Sequence, residues 1–167
     1  RFHFAEVMKQ AELVQLLDRV RLRGTNGIVL KAPDVPEVTA AVSRATDAGI
    51  PVVTLVTDLP NSSRSAYAGA DNRAAGETAA YLIGEHFGDA PGRVLVTLSS
   101  GRFRGEEERE MGFRRVLRER YPQIGMIEIS EGHGTDAATG TLAARAIAAD
   151  PAINAVSVPV AASVPWP

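Results

Sequence analysis

Tyr67-Ala68-Gly69-Ala70-Asp71-Asn72-Arg73-Ala74-Ala75-Gly76-Glu77-Thr78-Ala79-Ala80-Tyr81 is the stretch on which the fold turns. Residues 66–70 are small and extended in character. From Asn72 onward, alanines and other apolar residues recur at helical spacing. Asp71 or Asn72 is suited to be the N-cap, its side-chain oxygen accepting the unpaired amide protons of the first turn. The change of period has two readings. It is a crossover, where a strand of one βα layer system hands over to the first helix of another, or it is one more βα junction in a single sheet. In the first reading a cleft lies beside it.

Upstream, residues 1–4 read as a short strand and residues 7–23 as a helix with Val7, Ala11, Val14, Leu17 and Val20 on one face. Gly24 follows as its C-cap. Gly27-Ile28-Val29-Leu30-Lys31 is a nearly continuous apolar run, the mark of a strand buried on both faces. Residues 35–48 form the next helix, with Val38, Ala41, Val42 and Ala45 inward, and residues 51–57 the next strand. Downstream the alternation resumes. A helix is expected over 72–87 with Ala75, Ala79, Leu82, Ile83 and Phe87 buried. Strands over 93–98, 126–130 and 153–158 then alternate with helices over 105–121 and 136–149. Short connectors between such elements predict an α/β fold of parallel strands with helices on their faces.

With 167 residues, 45% of them hydrophobic and 23% charged, the chain has ordinary globular composition and enough length for one sizeable core or two small ones. A net charge of −2 provides no basic footprint for nucleic acid. No apolar run has the length of a membrane span, and no charged-then-apolar leader opens the chain. The absence of cysteine removes disulfides, thiolate chemistry and cysteine-ligated zinc, and is compatible with either redox compartment. The first residues begin inside an expected strand, and the last ten hold three prolines. Both ends read as cut, so a fragment is expected.

In open parallel sheets, ligands sit at the carboxyl ends of the strands. That rule selects the loops 32–35, 58–65, 99–104 and 131–136, none of which carries a dominant reactive group. Glu106-Glu107-Glu108-Arg109-Glu110 opens a helix that ends in arginines, and complementing the helix dipole as a solvated face accounts for it. Glu107, toward the preceding loop, is the exception to watch. Ser99, His133 and Asp136 are the only set resembling a hydrolytic triad, but Ser99 lacks the strained G-x-S-x-G elbow that exposes a nucleophile. Three scattered histidines make no metal site, and no phosphate-cradling glycine motif follows any strand. No catalytic residue, cofactor or metal is expected.

Several of these residues together resemble the ligand-binding core of LacI-type transcriptional regulators and the related periplasmic sugar-binding proteins. They are Gly27-Ile28-Val29-Leu30 and Ala48-Gly49-Ile50-Pro51-Val52-Val53-Thr54-Leu55, then Gly69-Ala70-Asp71-Asn72 with Ala75-Gly76. Arg109-Glu110-Met111-Gly112-Phe113 and Asp150-Pro151-Ala152-Ile153-Asn154-Ala155-Val156 complete the set. The resemblance runs over residues 1–157, and the order and spacing of the motifs carry it.

The resemblance implies two doubly wound parallel-sheet subdomains of the type I periplasmic-binding kind, both incomplete here: residues 1–70, residues 71–158, and an irregular tail over 159–167. It also implies a small-molecule effector, a sugar or sugar acid, bridging the two. Operator DNA is reached only through a helix-turn-helix headpiece absent from this chain, the core is a homodimer, and the protein is cytoplasmic with no membrane association. An exported, periplasmic sugar-binding protein of a transport system is the alternative, and a nonfunctional truncated fragment another. Expected ligand contacts are Asp58, Ser99, Arg102 and Arg104, then Glu107, His133 and Asp136. The expected hinge is Gly69, Ala70, Asp71 and Asn72. The chain departs from the family pattern in two places. Members commonly carry an aspartate directly after the segment corresponding to residues 51–55, where Val56-Thr57 intervene here before Asp58, and Glu107 stands where many members carry a ligand-gripping arginine. A carboxylate there accepts hydrogen bonds where a guanidinium only donates them, which shifts the expected ligand away from a common pentose or hexose.

Overall fold

The structure is a computed structural model that describes residues 9–98, 103–130 and 136–157. The chain divides into two compact units, Arg1–Ala70 with Arg102–Arg104, and Asp71–Gly101 with Gly105–Pro167. The expected strand over residues 1–4 lies outside the described residues.

In the first unit, helix α1 (Gln10–Leu22), strand β1 (Ile28–Leu30), helix α2 (Pro36–Asp47) and strands β2 (Val52–Leu55) and β3 (Ala66–Ala68) follow in order. The strands form a parallel sheet ordered β1-β2-β3, with Val29 beside Val53 and Thr54 beside Tyr67. Pro36 opens α2, where its missing N–H costs nothing, and Val38, Ala41, Val42 and Ala45 recur on one face and are buried as the spacing predicts. They pack with Leu17, Leu30, Val52 and Leu59 in a core on one side of the sheet. Ala11, expected inward on α1, is exposed.

The β2–β3 connection crosses over without a helix. Residues 56–65 make the passage, and Leu59, 0% exposed, fills the core position a helix would otherwise supply. On the opposite face of the sheet, among the described residues, apolar side chains reach the surface. Val29 is 70% and Leu55 42% exposed, although parallel sheets ordinarily have both faces covered.

The second unit holds helix α3 (Asn72–Phe87), strand β4 (Gly92–Thr97), helix α4 (Arg104–Arg120), strand β5 (Ile124–Ile129), helix α5 (Asp136–Ala149) and strand β6 (Ala155–Ser157). Its parallel sheet is ordered β5-β4-β6. Here both faces are covered. Val94 and Val96 of the central strand pack with Ala80 of α3 and with Phe113 and Leu117 of α4, while Leu95 packs with Ala143 of α5. The period of two along a strand sends alternate residues to opposite faces.

Two burial expectations are corrected. Ala75 and Leu82 of α3 are exposed, Leu82 at 64%, and the buried positions are Asn72, Gly76, Ala80 and Gly84. The contact face is rotated because α3 meets α4 through its small residues. A side chain at Gly76 would begin 1.9 Å from the Arg109 carbonyl oxygen, and one at Gly112 would begin 2.2 Å from that of Arg73. Glu106 and Glu110, expected on a solvated face, are 7% and 9% exposed, since they share the stripe of α4 that carries Phe113 and Leu117 onto the sheet. Of the two candidate N-caps, Asp71 takes the role. Its Oδ1 accepts from the Ala74 amide at 2.9 Å.

Candidate functional site

The carboxyl end of β2 in the first unit is the most distinctive piece of backbone in the described chain. The strand stops at Leu55, two residues short of the expected end. Val56 has φ of 70°, a left-handed conformation that a β-branched residue rarely takes. The Thr57 amide donates to the Leu55 carbonyl at 2.8 Å, closing a γ-turn of the rare, strained hand around Val56. Such strain persists only where surrounding structure enforces it. Two bonds do so. The Val56 amide donates to the Ala68 carbonyl at 3.0 Å, and the Tyr67 hydroxyl donates to the Val56 carbonyl at 3.1 Å.

Asp58 follows, and donors surround its carboxylate. Oδ1 accepts from the Thr54 hydroxyl at 2.8 Å, the Leu59 amide at 2.8 Å and Arg64 Nε at 2.5 Å. Oδ2 accepts from Arg64 Nη2 at 2.6 Å. Burial works to raise the Asp58 pKa, but the bonds from Arg64, Thr54 and Leu59 outweigh it and hold the carboxyl below its ordinary value. Asp58 therefore ties the β2–β3 connection to the strand and to Arg64. At the end of β1, Lys31 lies with its ammonium 5.9 Å from the centre of the Phe103 ring, an apolar face and a donor side by side.

In the second unit, the carboxyl end of β4 presents Thr97, fully buried, whose hydroxyl has no hydrogen-bond partner among the described residues. Glu107 lies half-buried in the first turn of α4, which follows β4, while Arg104, the half-buried first residue of that helix, is grouped with the first unit. Asp136 begins α5, which follows β5. Ser99, Arg102 and His133 lie outside the described residues, as does the side chain of Asp136. Gly69 and Ala70 close the first unit, while Asp71 and Asn72 open the second. Among the described residues no group of three or more His, Asp or Glu could hold a metal ion.

Sequence reading missed Arg64, Tyr67, Lys31 and Phe103. Arg64 had a signal, being the only cation in loop 58–65, which holds one acid, Asp58. Nothing local marked Tyr67, whose role depends on where Val56 and Ala70 come to lie.

A periplasmic binding protein domain matches residues 4–164. The chain belongs to the periplasmic binding protein family. Its parallel strands, helices and two units are those of an incomplete type I member of that family. Among solved structures, it is similar to GanP, a glucose-galactose binding protein from Geobacillus stearothermophilus, with TM-score 0.78 and 26% identity over 90% of this chain and 53% of that one. It is also similar to an ABC transporter solute binding protein from Burkholderia graminis in complex with D-arabinose, with TM-score 0.84 and 25% identity over 91% of this chain and 52% of that one. A sugar-binding protein of a sugar ABC transporter from Bacillus halodurans gives TM-score 0.75 and 27% identity, over 90% and 51%. The chain thus spans about half the length of these periplasmic binding proteins. No curated protein sequence matches it significantly. Among the described residues no helix is long and apolar enough to cross a membrane.

Proposed function

We propose that this chain is the effector-binding core of a LacI-type transcriptional regulator, and that it takes a sugar or sugar-like small molecule at the carboxyl ends of its parallel strands. The observation that carries the proposal is its likeness, over nine tenths of its length, to solved sugar-binding proteins. The regulator assignment rests on the motif resemblance at Gly69 to Gly76 and Arg109 to Phe113. Residues 1–70 and 71–158 are the two ligand-binding subdomains, and Gly69 to Asn72 the hinge. Arg102 and Arg104 donate to hydroxyl or carboxylate oxygens, while Glu107 and Asp136 accept from hydroxyls. Ser99 and His133 complete the contacts, and Asp58 contributes through Oδ2 while anchoring its loop. The protein works by binding and carries no catalytic group. Ligand favours one arrangement of the subdomains, and a headpiece outside this chain reads that arrangement as altered operator affinity. The core is a cytoplasmic homodimer.

The second reading is an exported component of a sugar transport system. It is favoured by the ABC transporter descriptions of the similar structures. One pair of measurements tests both. Thermal unfolding is followed against a panel of pentoses, hexoses and sugar acids, with light scattering on the same sample. A sugar that raises the melting temperature of a dimer supports the regulator, and one that raises that of a monomer supports the transport protein. If nothing in the panel shifts the melting temperature, sugar binding by this chain is abandoned.

A further inference from the structure

We propose that the Tyr67 hydroxyl is a shared donor that links the strained turn at the carboxyl end of β2 to the exit of the chain from the first unit. Its oxygen lies 3.1 Å from the Val56 carbonyl oxygen and 3.0 Å from that of Ala70. A phenol carries one proton, so it donates to one carbonyl at full strength or to both weakly. Val56 is the centre of the left-handed γ-turn. Ala70 ends the long first segment of the first unit, and Asp71 after it caps α3.

The arrangement is built rather than incidental. Tyr67 belongs to β3, paired in register with Thr54 of the central strand, so its ring starts from a fixed point. Gly69 makes room for the hydroxyl, since a side chain there would begin 2.2 Å from it. The two acceptors stand at nearly equal distances from the hydroxyl oxygen. The two placements of the proton are therefore close in energy, and a small added interaction at one end decides between them. A ligand hydroxyl that donates to the Val56 carbonyl displaces the phenol proton to Ala70 and tightens the chain exit. Tyr67 is a positioning residue in this scheme. Its ligand arm rests on the proposed carbohydrate binding, whereas the link between Val56 and Ala70 exists without ligand.

Tyr67→Phe keeps the ring and removes the donor. Amide hydrogen exchange of the 167-residue chain, without ligand, then reads the link directly. Exchange at Thr57, whose amide bonds the Leu55 carbonyl, and at Ala74, whose amide bonds the Asp71 cap, is expected to accelerate by roughly five- to tenfold, the loss of one ordinary hydrogen bond, with exchange in α4 and β5 unchanged. Gly69→Ala, which retains the phenol but displaces it, is expected to give the same pattern. Unchanged exchange at both amides in both variants overturns the proposal, and acceleration at one amide alone overturns the shared donor. Titration with D-arabinose and D-galactose adds the second arm. Wild type that binds either sugar is expected to lose roughly five- to tenfold in affinity on Tyr67→Phe, with the ligand-free melting temperature nearly unchanged. Equal affinity of the two proteins removes the ligand arm. No binding by wild type to any sugar counts against the proposed function, and the exchange result still decides the link.

Discussion

Gly76 of α3 lies so close to Arg109 of α4 that a β-carbon on it would sit 1.9 Å from the Arg109 carbonyl oxygen. Two helices this near touch backbone to backbone, and no rotamer change relieves a clash with a carbonyl. Alanine at position 76 gains about 1 kcal/mol of helix propensity. Forcing the helices apart costs more, about 3 kcal/mol, by the overpacking this creates. Gly76→Ala is therefore expected to lower the urea midpoint. Gly27→Ala is the control, because its nearest neighbours stand 3.7 Å away and it is expected to change the midpoint little. Equal midpoints for wild type and Gly76→Ala contradict the close approach.

The Asp58–Arg64 pair predicts a pH dependence. The two side chains are 18% and 22% exposed, so solvent screens the pair only in part. Asp58→Asn is expected to cost about 1–2 kcal/mol at pH 7. Because the folded-state pKa of Asp58 is depressed below 3.8, its contribution is complete above the ordinary carboxylate range and is lost as pH falls through the folded value. Denaturation curves of wild type and Asp58→Asn should stay separated from pH 7 to 5 and converge below pH 4, by the ordinary carboxylate pKa of about 3.9. A separation that persists into strong acid rules out this account of Asp58.

Tyr121 predicts the opposite edge of the pH range. Burial of its phenol, 9% exposed, and then its bond to Glu85 at 2.7 Å push its pKa up to about 12. A raised pKa contributes stability that is whole below the unfolded value of about 10 and disappears as pH rises through the folded one. In ultraviolet titration, the phenolate signal present in wild type and missing from Tyr121→Phe should emerge near pH 12. Emergence near pH 10 removes the basis for it.

The exposed apolar residues of the first sheet predict a solution property. Val29 and Leu55 point to the same side, since Val29 pairs with Val53 and Val53 lies two residues from Leu55. An apolar face of this kind binds hydrophobic dyes and promotes association. Replacing both residues by lysine is expected to lower dye fluorescence severalfold and to leave far-ultraviolet circular dichroism unchanged. Dye binding equal in the two proteins shows that the face is covered in solution.

Most of the element order was legible because local signals agree. The run Val38, Ala41, Val42, Ala45 carries a helical period, Pro36 opens that helix, and Gly49 follows it with φ of 80°. The change of period at Asp71 marked the start of α3, and the capping bond to Ala74 is there. The burial of α3 was misread because hydrophobicity favours Leu82 while the packing favours Gly76. Small residues sit at the contact because it is close, and closeness belongs to the partner helix. For the candidate site, the loops at strand ends could be named from sequence, but the occupancy of their side chains could not. Asp58, an expected ligand contact, is surrounded by Thr54, Leu59 and Arg64, which come from positions its own loop pattern does not single out.

The sequence by itself determined the α/β class, the alternation of strands with helices and a helix cap at Asp71 or Asn72. Each follows from contacts within one or two turns of the chain. Only the tertiary structure decided which face of α3 is buried, which carbonyls Tyr67 reaches and how fully Asp58 is engaged. Those outcomes depend on residues distant in sequence meeting at fixed distances, as Gly76 meets Arg109 and Tyr67 meets Val56. A pattern of residue types records what each position prefers. The distance between two positions is set by everything packed between them.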